Sequence, residues 1–126
     1  MTTHYTAPLA DMRFCLYDLL DVEKLVAKLP GCESLNRELI DAVLDEAAKF
    51  SQAVLAPLNE TGDQEGCKFD KKTGKVKTPK GFKRAYEQYV EGGWAGLTAP
   101  ESAGGQGLPE TIGAPVKEMI DSANLA

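Results

Sequence analysis

The 126-residue sequence contains a single histidine, His4, and three cysteines, Cys15, Cys32 and Cys67. One histidine beside the N-terminus gives little support to Ser-His-Asp or Cys-His catalysis, or to a histidine-based zinc site. The cysteines form no Cys-x-x-Cys pair, so they read as reduced, unligated thiols packed as small hydrophobes in a reducing compartment, and no metal site is expected. Long apolar runs are also missing. No stretch approaches the roughly 18 uncharged apolar residues of a membrane-spanning helix, and residues 1–10 have neither the basic region nor the apolar run of a secretory signal. A cytoplasmic chain without a transmembrane segment is expected. Positive charge is in deficit: 14 Lys and Arg stand against 19 Asp and Glu, giving a net charge of −5. That balance argues against sequence-independent binding of nucleic acid, which needs Lys and Arg to neutralise phosphates.

What is present is enough apolar material, 43% of residues, for one modest core. At this size about two-thirds of the unfolded chain's surface can be buried, too little to enclose a large organic cofactor.

The apolar residues recur with helical spacing. Met12, Cys15, Leu16, Leu19 and Leu20 predict a helix over residues 10–20, and Leu25, Val26 and Leu29 a shorter one that Pro30-Gly31 should end. Leu39, Ile40, Val43, Leu44, Ala47, Phe50 and Val54 mark a half-buried helix of about five turns, with Asn36 as N-cap and Pro57 as its stop. Residues 59–66 then read as a polar loop, and residues 67–79 as an irregular segment or weak hairpin around Thr73-Gly74. Phe82, Ala85, Tyr86, Tyr89 and Val90 predict a helix over residues 79–91 with an aromatic face, ended by Gly92-Gly93. Residues 92–107 carry six glycines and are expected to form a structured loop anchored by Trp94 and Leu97. Val116, Met119, Ile120 and Ala123 predict a last helix that runs to Ala126 without a cap. With no βαβ pattern, the fold class is all-α, a bundle of about five helices with a glycine-rich connecting loop.

Few constellations suggest chemistry. Gly104-Gly105-Gln106-Gly107 lacks both the Gly-Lys-Ser/Thr of a phosphate loop and the strand and glycine spacing of a dinucleotide fingerprint, so a tight turn between helices is favoured. Asp41 and Asp45, and Asp45 and Lys49, are i, i+4 neighbours on the polar face of the long helix, which is usually a solvated face. The charge distribution is uneven. Residues 68–84 hold seven lysines and Arg84 against Asp70 alone, a segment of +7 between flanks of −7 and −5. Such a patch suits a phosphorylated ligand or an acidic partner, although a solvated lysine-rich loop is the simpler reading.

A resemblance goes further. The run from Val90 through Gly92-Gly93-Trp94-Ala95-Gly96-Leu97 to Pro100-Glu101-Ser102-Ala103-Gly104-Gly105-Gln106-Gly107 resembles the N-terminal domain signature of FAD-dependent acyl-CoA dehydrogenases. Val54-Leu55-Ala56-Pro57, Asn59-Glu60-Thr61-Gly62-Asp63 and Pro79-x-Gly81-Phe82 match in order upstream. The opening Tyr5-Thr6-Ala7-Pro8-Leu9-Ala10-Asp11-Met12-Arg13-Phe14 and the closing residues 118–126 are similar to the bacterial branch that includes 3-methylmercaptopropionyl-CoA dehydrogenase-like proteins.

The resemblance implies residues 1–33 as an N-terminal helical extension and residues 34–126 as the family's N-terminal domain, truncated at its C-terminal end. It implies an oxidoreductase of fatty acid metabolism: a glutamate removes the α-proton of an acyl-CoA while the β-hydride passes to FAD, giving a trans-2-enoyl-CoA and electrons for a separate acceptor. In the family the base and most of the flavin site lie in later domains. No catalytic or cofactor-binding residue is therefore assigned here, no FAD is expected on this chain alone, and the uncapped last helix suggests a fragment. Met119, Ile120 and Ala123 are the candidates for lining the acyl cavity, with Pro100, Glu101, Gly104, Gly105 and Gly107 as a structural loop that positions their helix. The alternative is a stand-alone, non-catalytic helical interaction or oligomerisation module, a homo-oligomer formed through exposed apolar helix faces.

Overall fold

A computed structural model describes residues 4–126. The helices are α1 (Leu9–Arg13), α2 (Val22–Val26), α3 (Arg37–Phe50), α4 (Ala56–Glu65), α5 (Phe82–Glu91) and α6 (Glu110–Ala123), and the antiparallel pair β1 (Lys68–Asp70) and β2 (Lys75–Lys77) forms a hairpin. α1 continues into a π-helical stretch, Phe14–Leu19, and Asp21 in a left-handed conformation then turns the chain into α2. The all-α bundle expected from the periodicity is present, with the hairpin as its one sheet among the described residues.

The long helix does not stop at Pro57. α3, the π-helical stretch Ser51–Leu55 and α4 form one continuous rod, so residues 59–65 are helical rather than a polar loop. Proline has no N–H to give and its ring strikes the carbonyl four residues back. The wider π-turn ends at Leu55, two residues before Pro57, and spaces those carbonyls out, so the helix passes the proline without a break. At the other end, the Asn36 side chain accepts from the Leu39 amide at 3.0 Å, the expected N-cap.

The last helix also ends differently. α6 includes Pro115, finishes at Ala123, and is followed by Asn124 in an extended conformation. The Asn124 side chain donates from Nδ2 to the Leu55 carbonyl at 2.9 Å, and Asn59 Oδ1 accepts from the backbone amides of Leu125 and Ala126. Two asparagines thus tie residues 124–126 to the π-turn and α4, a pairing across more than sixty residues of chain that no local pattern reports.

The core lies where α6 crosses α3 and the π-turn. Ile40, Leu44, Ala47 and Ala48 face Ile112, Val116 and Met119, with Ser51 and Ala123 buried beside them. Met12, Leu16, Val22 and Val26 join the same cluster, so side chains from residues 4–33 share the core of the remainder. Each fully buried aliphatic side chain contributes about 1.5–3 kcal/mol relative to exposure. Leu25, Leu29 and Leu39, expected inward, are exposed, because the buried stripe is rotated toward Val22, Val26 and Ile40. Of the cysteines only Cys32 is buried; Cys15 and Cys67 are exposed, against the expectation of three packed thiols.

Candidate functional site

Aromatic side chains from three elements meet beside the core. Phe50 of α3 stacks on Trp94 with ring centroids 6.1 Å apart and an interplanar angle of 21°, and it lies 6.3 Å from Tyr89 of α5, which in turn lies 6.5 Å from Tyr86. On one side of this wall an open groove of about 760 Å³ runs between α3 and the end of α5, with Val43, Phe50, Val54, Trp94 and Leu97 as its apolar surface. On the other side are two hollows of about 180 and 200 Å³. Ile120 lines both. Of the other two candidates for a substrate cavity, Met119 packs in the core cluster with the α3 residues and Ala123 is buried; neither lines these hollows, as Ile120 does.

The glycine-rich segment, residues 92–109, holds this wall in place. It contains two short 3-10 turns, Trp94–Gly96 and Glu101–Ala103, and is closed by its own backbone. Gly104 donates to Glu101 O, Gly105 to Pro100 O, Gln106 to Gly96 O, Gly107 to Ala99 O and Leu108 to Leu97 O, at 2.9 to 3.1 Å. A Cβ on Gly105 would collide with the Ala99 carbonyl, so that strand crossing needs glycine. All five amides are spent inside the loop. None is left to cradle a diphosphate, so the residues that looked most like a phosphate loop do not fit a flavin or nucleotide diphosphate. Pro100 and Glu101 sit at the exposed outer turn, and Leu97 is the buried anchor.

Polar groups gather elsewhere. Arg13 donates from Nε to Asp41 Oδ1 at 2.9 Å and from Nη2 to Asp45 Oδ1 at 2.7 Å. The Tyr17 hydroxyl donates to the same Asp41 oxygen at 2.9 Å, and the Arg37 guanidinium lies 4.0 Å from the centre of the Tyr17 ring. Burial works to raise the Asp41 pKa, but the hydrogen bonds and charge of Arg13 and the bond from Tyr17 outweigh it and hold the carboxyl below its ordinary value. Burial, then the bond to Asp41, pushes the Tyr17 hydroxyl well above the ordinary tyrosine value. Bonds to Asp41 and Asp45 raise Arg13 further. Asp41 and Asp45 are thus not a merely solvated face; they clamp α1 onto α3, and Lys49 pairs with Glu46 at 2.6 Å rather than with Asp45. Arg13, a lone cation on an acidic first helix, was the only sequence signal for this clamp.

The groove can take up an apolar group. Two carboxylates line it, Glu46, which is committed to Lys49, and Glu91; among the described residues no group of His, Cys, Asp and Glu side chains could hold a metal ion. No helix among them is long and apolar enough to cross a membrane.

No protein-family profile matches the chain. Individual relatives do. The chain is 34% identical over 122 residues to 3-methylmercaptopropionyl-CoA dehydrogenase of Ruegeria pomeroyi, a match covering 97% of this chain and 20% of that protein. It is 34% identical over 122 residues to butyryl-CoA dehydrogenase of Syntrophomonas wolfei, covering 96% and 20%. It is 29% identical over 127 residues to a broad-specificity linear acyl-CoA dehydrogenase of Mycobacterium tuberculosis, covering 98% and 20%. Almost every residue of the chain takes part in each alignment, yet the chain spans about a fifth of the length of these curated relatives. By sequence, then, these 126 residues are similar over nearly their whole length to a segment of about a fifth of three acyl-CoA dehydrogenases.

Proposed function

We propose that the chain is the N-terminal helical part of an FAD-dependent acyl-CoA dehydrogenase that oxidises an acyl-CoA to a trans-2-enoyl-CoA, and that these residues alone are inactive. The observation that carries the reading is the collinear match of nearly the whole chain to three acyl-CoA dehydrogenases. On this reading residues 1–33 are an extension packed onto residues 34–126, and the base, most of the flavin site and the contact with an electron acceptor belong to domains beyond this segment. The flavin supplies the hydride chemistry, and without it no reaction follows. What these residues contribute is an apolar wall: Ile120, Trp94 and Leu97 border hollows able to exclude water from an aliphatic chain. The loop that contains Pro100, Glu101, Gly104, Gly105 and Gly107 sets the angle at which α6 presents Ile120.

Two measurements test this. The purified 126-residue chain is expected to show no flavin absorbance near ~450 nm and no reduction by acyl-CoA. A chimera carrying these residues in place of the matching segment of the Ruegeria pomeroyi enzyme is expected to keep its flavin and its acyl-CoA-dependent reduction. Stoichiometric, substrate-reducible FAD on the short chain, or a folded chimera without turnover, would overturn the proposal.

Exposed apolar side chains favour a second reading, self-association. Phe14 and Leu19 of the first helix and Tyr86 and Val90 of α5 lie open to solvent. A sedimentation coefficient that stays monomeric as concentration rises would remove it.

A further inference from the structure

The hairpin stands apart from the bundle. Every residue of β1 and β2 is exposed, and the turn between them, residues 71–74, is exposed as well. Its register pairs Phe69 with Val76, Lys68 with Lys77 and Asp70 with Lys75. Directly opposite residues share a face, so Phe69 and Val76 form an apolar pair on one side, 62% and 60% exposed, and the charged pairs lie on the other. Lysine directly opposite lysine is unfavourable inside a hairpin, and among the described residues no carboxylate lies within ion-pair distance of Lys68 or Lys77. The only carboxylate of the segment, Asp70, is used by the turn: it accepts from the Lys72 amide and the Thr73 hydroxyl, each at 2.8 Å. Among the described residues, Lys83 is the only one of the eight cations of residues 68–84 with a carboxylate within ion-pair distance, Glu87 at 4.0 Å.

An exposed apolar pair and five lysines against one carboxylate, itself engaged by the turn, on one projecting element call for an anionic partner. The cation chosen narrows its kind. Protein interfaces favour arginine and are poor in lysine, because the guanidinium fork binds carboxylates bidentately. Here lysine outnumbers arginine seven to one, which suits many loosely held anionic groups rather than one shaped site. An aromatic side chain flanked by lysines also matches the boundary between headgroups and acyl chains. The rest of the molecule is acidic on both flanks of the segment, so an anionic plane repels it and turns the hairpin forward.

We propose that the hairpin β1–β2 is a docking surface for an anionic phospholipid bilayer that it enters turn first, so that Phe69 and Val76 on one face, Lys75 and then Lys68 and Lys77 on the other, and Lys71 and Lys72 at the tip all lie within the interfacial layer. The docking is peripheral and reversible. It does not depend on the enzymatic reading, since none of these residues touches the aromatic groove.

Co-sedimentation of the 126-residue chain with vesicles tests it. The chain is expected to pellet with vesicles containing phosphatidylserine and not with phosphatidylcholine alone, and to be released as salt rises from about 0.05 to 0.5 M. Replacing Lys71, Lys72 and Lys75 together by Gln is expected to weaken binding about a hundredfold, at about fivefold per lysine, and Phe69→Ala by about fivefold. Unchanged helical circular dichroism confirms that the bundle is intact in each variant. Absence of binding to phosphatidylserine vesicles at low salt, equal binding to neutral vesicles, or full binding by the triple variant would each overturn the proposal. So would equally tight binding to heparin or RNA with Phe69→Ala without effect on vesicles, which would mark a diffuse polyanion surface instead.

Discussion

In the hairpin, residues 68–77, all strand side chains face water and the backbone bonds are local; in the glycine-rich connection, residues 92–109, Leu97 is buried and five successive amides are bonded back into the loop. Both segments look irregular by composition. What separates them is anchorage: Trp94 stacks on Phe50 and Leu97 enters the core, whereas Phe69 and Val76 pair across the hairpin and stay exposed. A loop with an apolar anchor becomes part of the core's packing, and glycine is then demanded by close approach. Without one, it remains a separate element whose chemistry faces outward.

The largest test of this contrast is Leu97→Ala. Removing the anchor is expected to cost about 3 kcal/mol in urea denaturation and to quench the rigid environment of Trp94 seen by near-UV circular dichroism. Next is Gly105→Ala, where the added methyl meets the Ala99 carbonyl; a loss of about 2 kcal/mol is expected, with the same spectral change. Gly74→Ala in the hairpin turn, with a φ of +70° but open space around it, is expected to lower the global midpoint by less than about 1 kcal/mol.

The clamp between α1 and α3 supplies an intermediate effect. Its groups are about a third exposed or more, so Arg13→Ala is expected to cost only about 1 kcal/mol. Asp41 has a folded pKa below its unfolded value of about 3.9, so its contribution is complete above that value and is lost as pH falls through the lower, folded one. Urea midpoints measured from pH 7 downward should therefore decline at acid pH, and less steeply in Asp41→Asn. The smallest effect is expected for Phe69→Ala: within about 0.5 kcal/mol of the native chain, since the side chain packs on nothing in the bundle. A drop comparable to that of Leu97→Ala would erase the distinction between the two segments.

Much of the helical layout was legible from residue spacing. Asn36 caps the long helix where its pattern begins, Gly92-Gly93 close α5, and Ile112, Val116 and Met119 repeat at the interval that a half-buried helix needs. The candidate site was legible only in part. Ile120 borders the hollows, but Met119 and Ala123, one residue earlier and three later, turn into the core, because the direction of the α3 contact sets which stripe of α6 is inward.

By itself, then, the sequence determined the helical periods, the likeness to part of the acyl-CoA dehydrogenases and the segregation of positive charge into residues 68–84. These are properties of neighbouring residues or of collinear order. Tertiary structure decided the rest: that a π-turn carries the helix past Pro57, that Asn59 and Asn124 fasten the chain's last residues, that Asp41 and Asp45 grip Arg13, and that the loop's amides are consumed internally. Each joins groups that adjacent spacing does not link, and a hydrogen bond or a steric clash between such groups exists only once packing has brought them together.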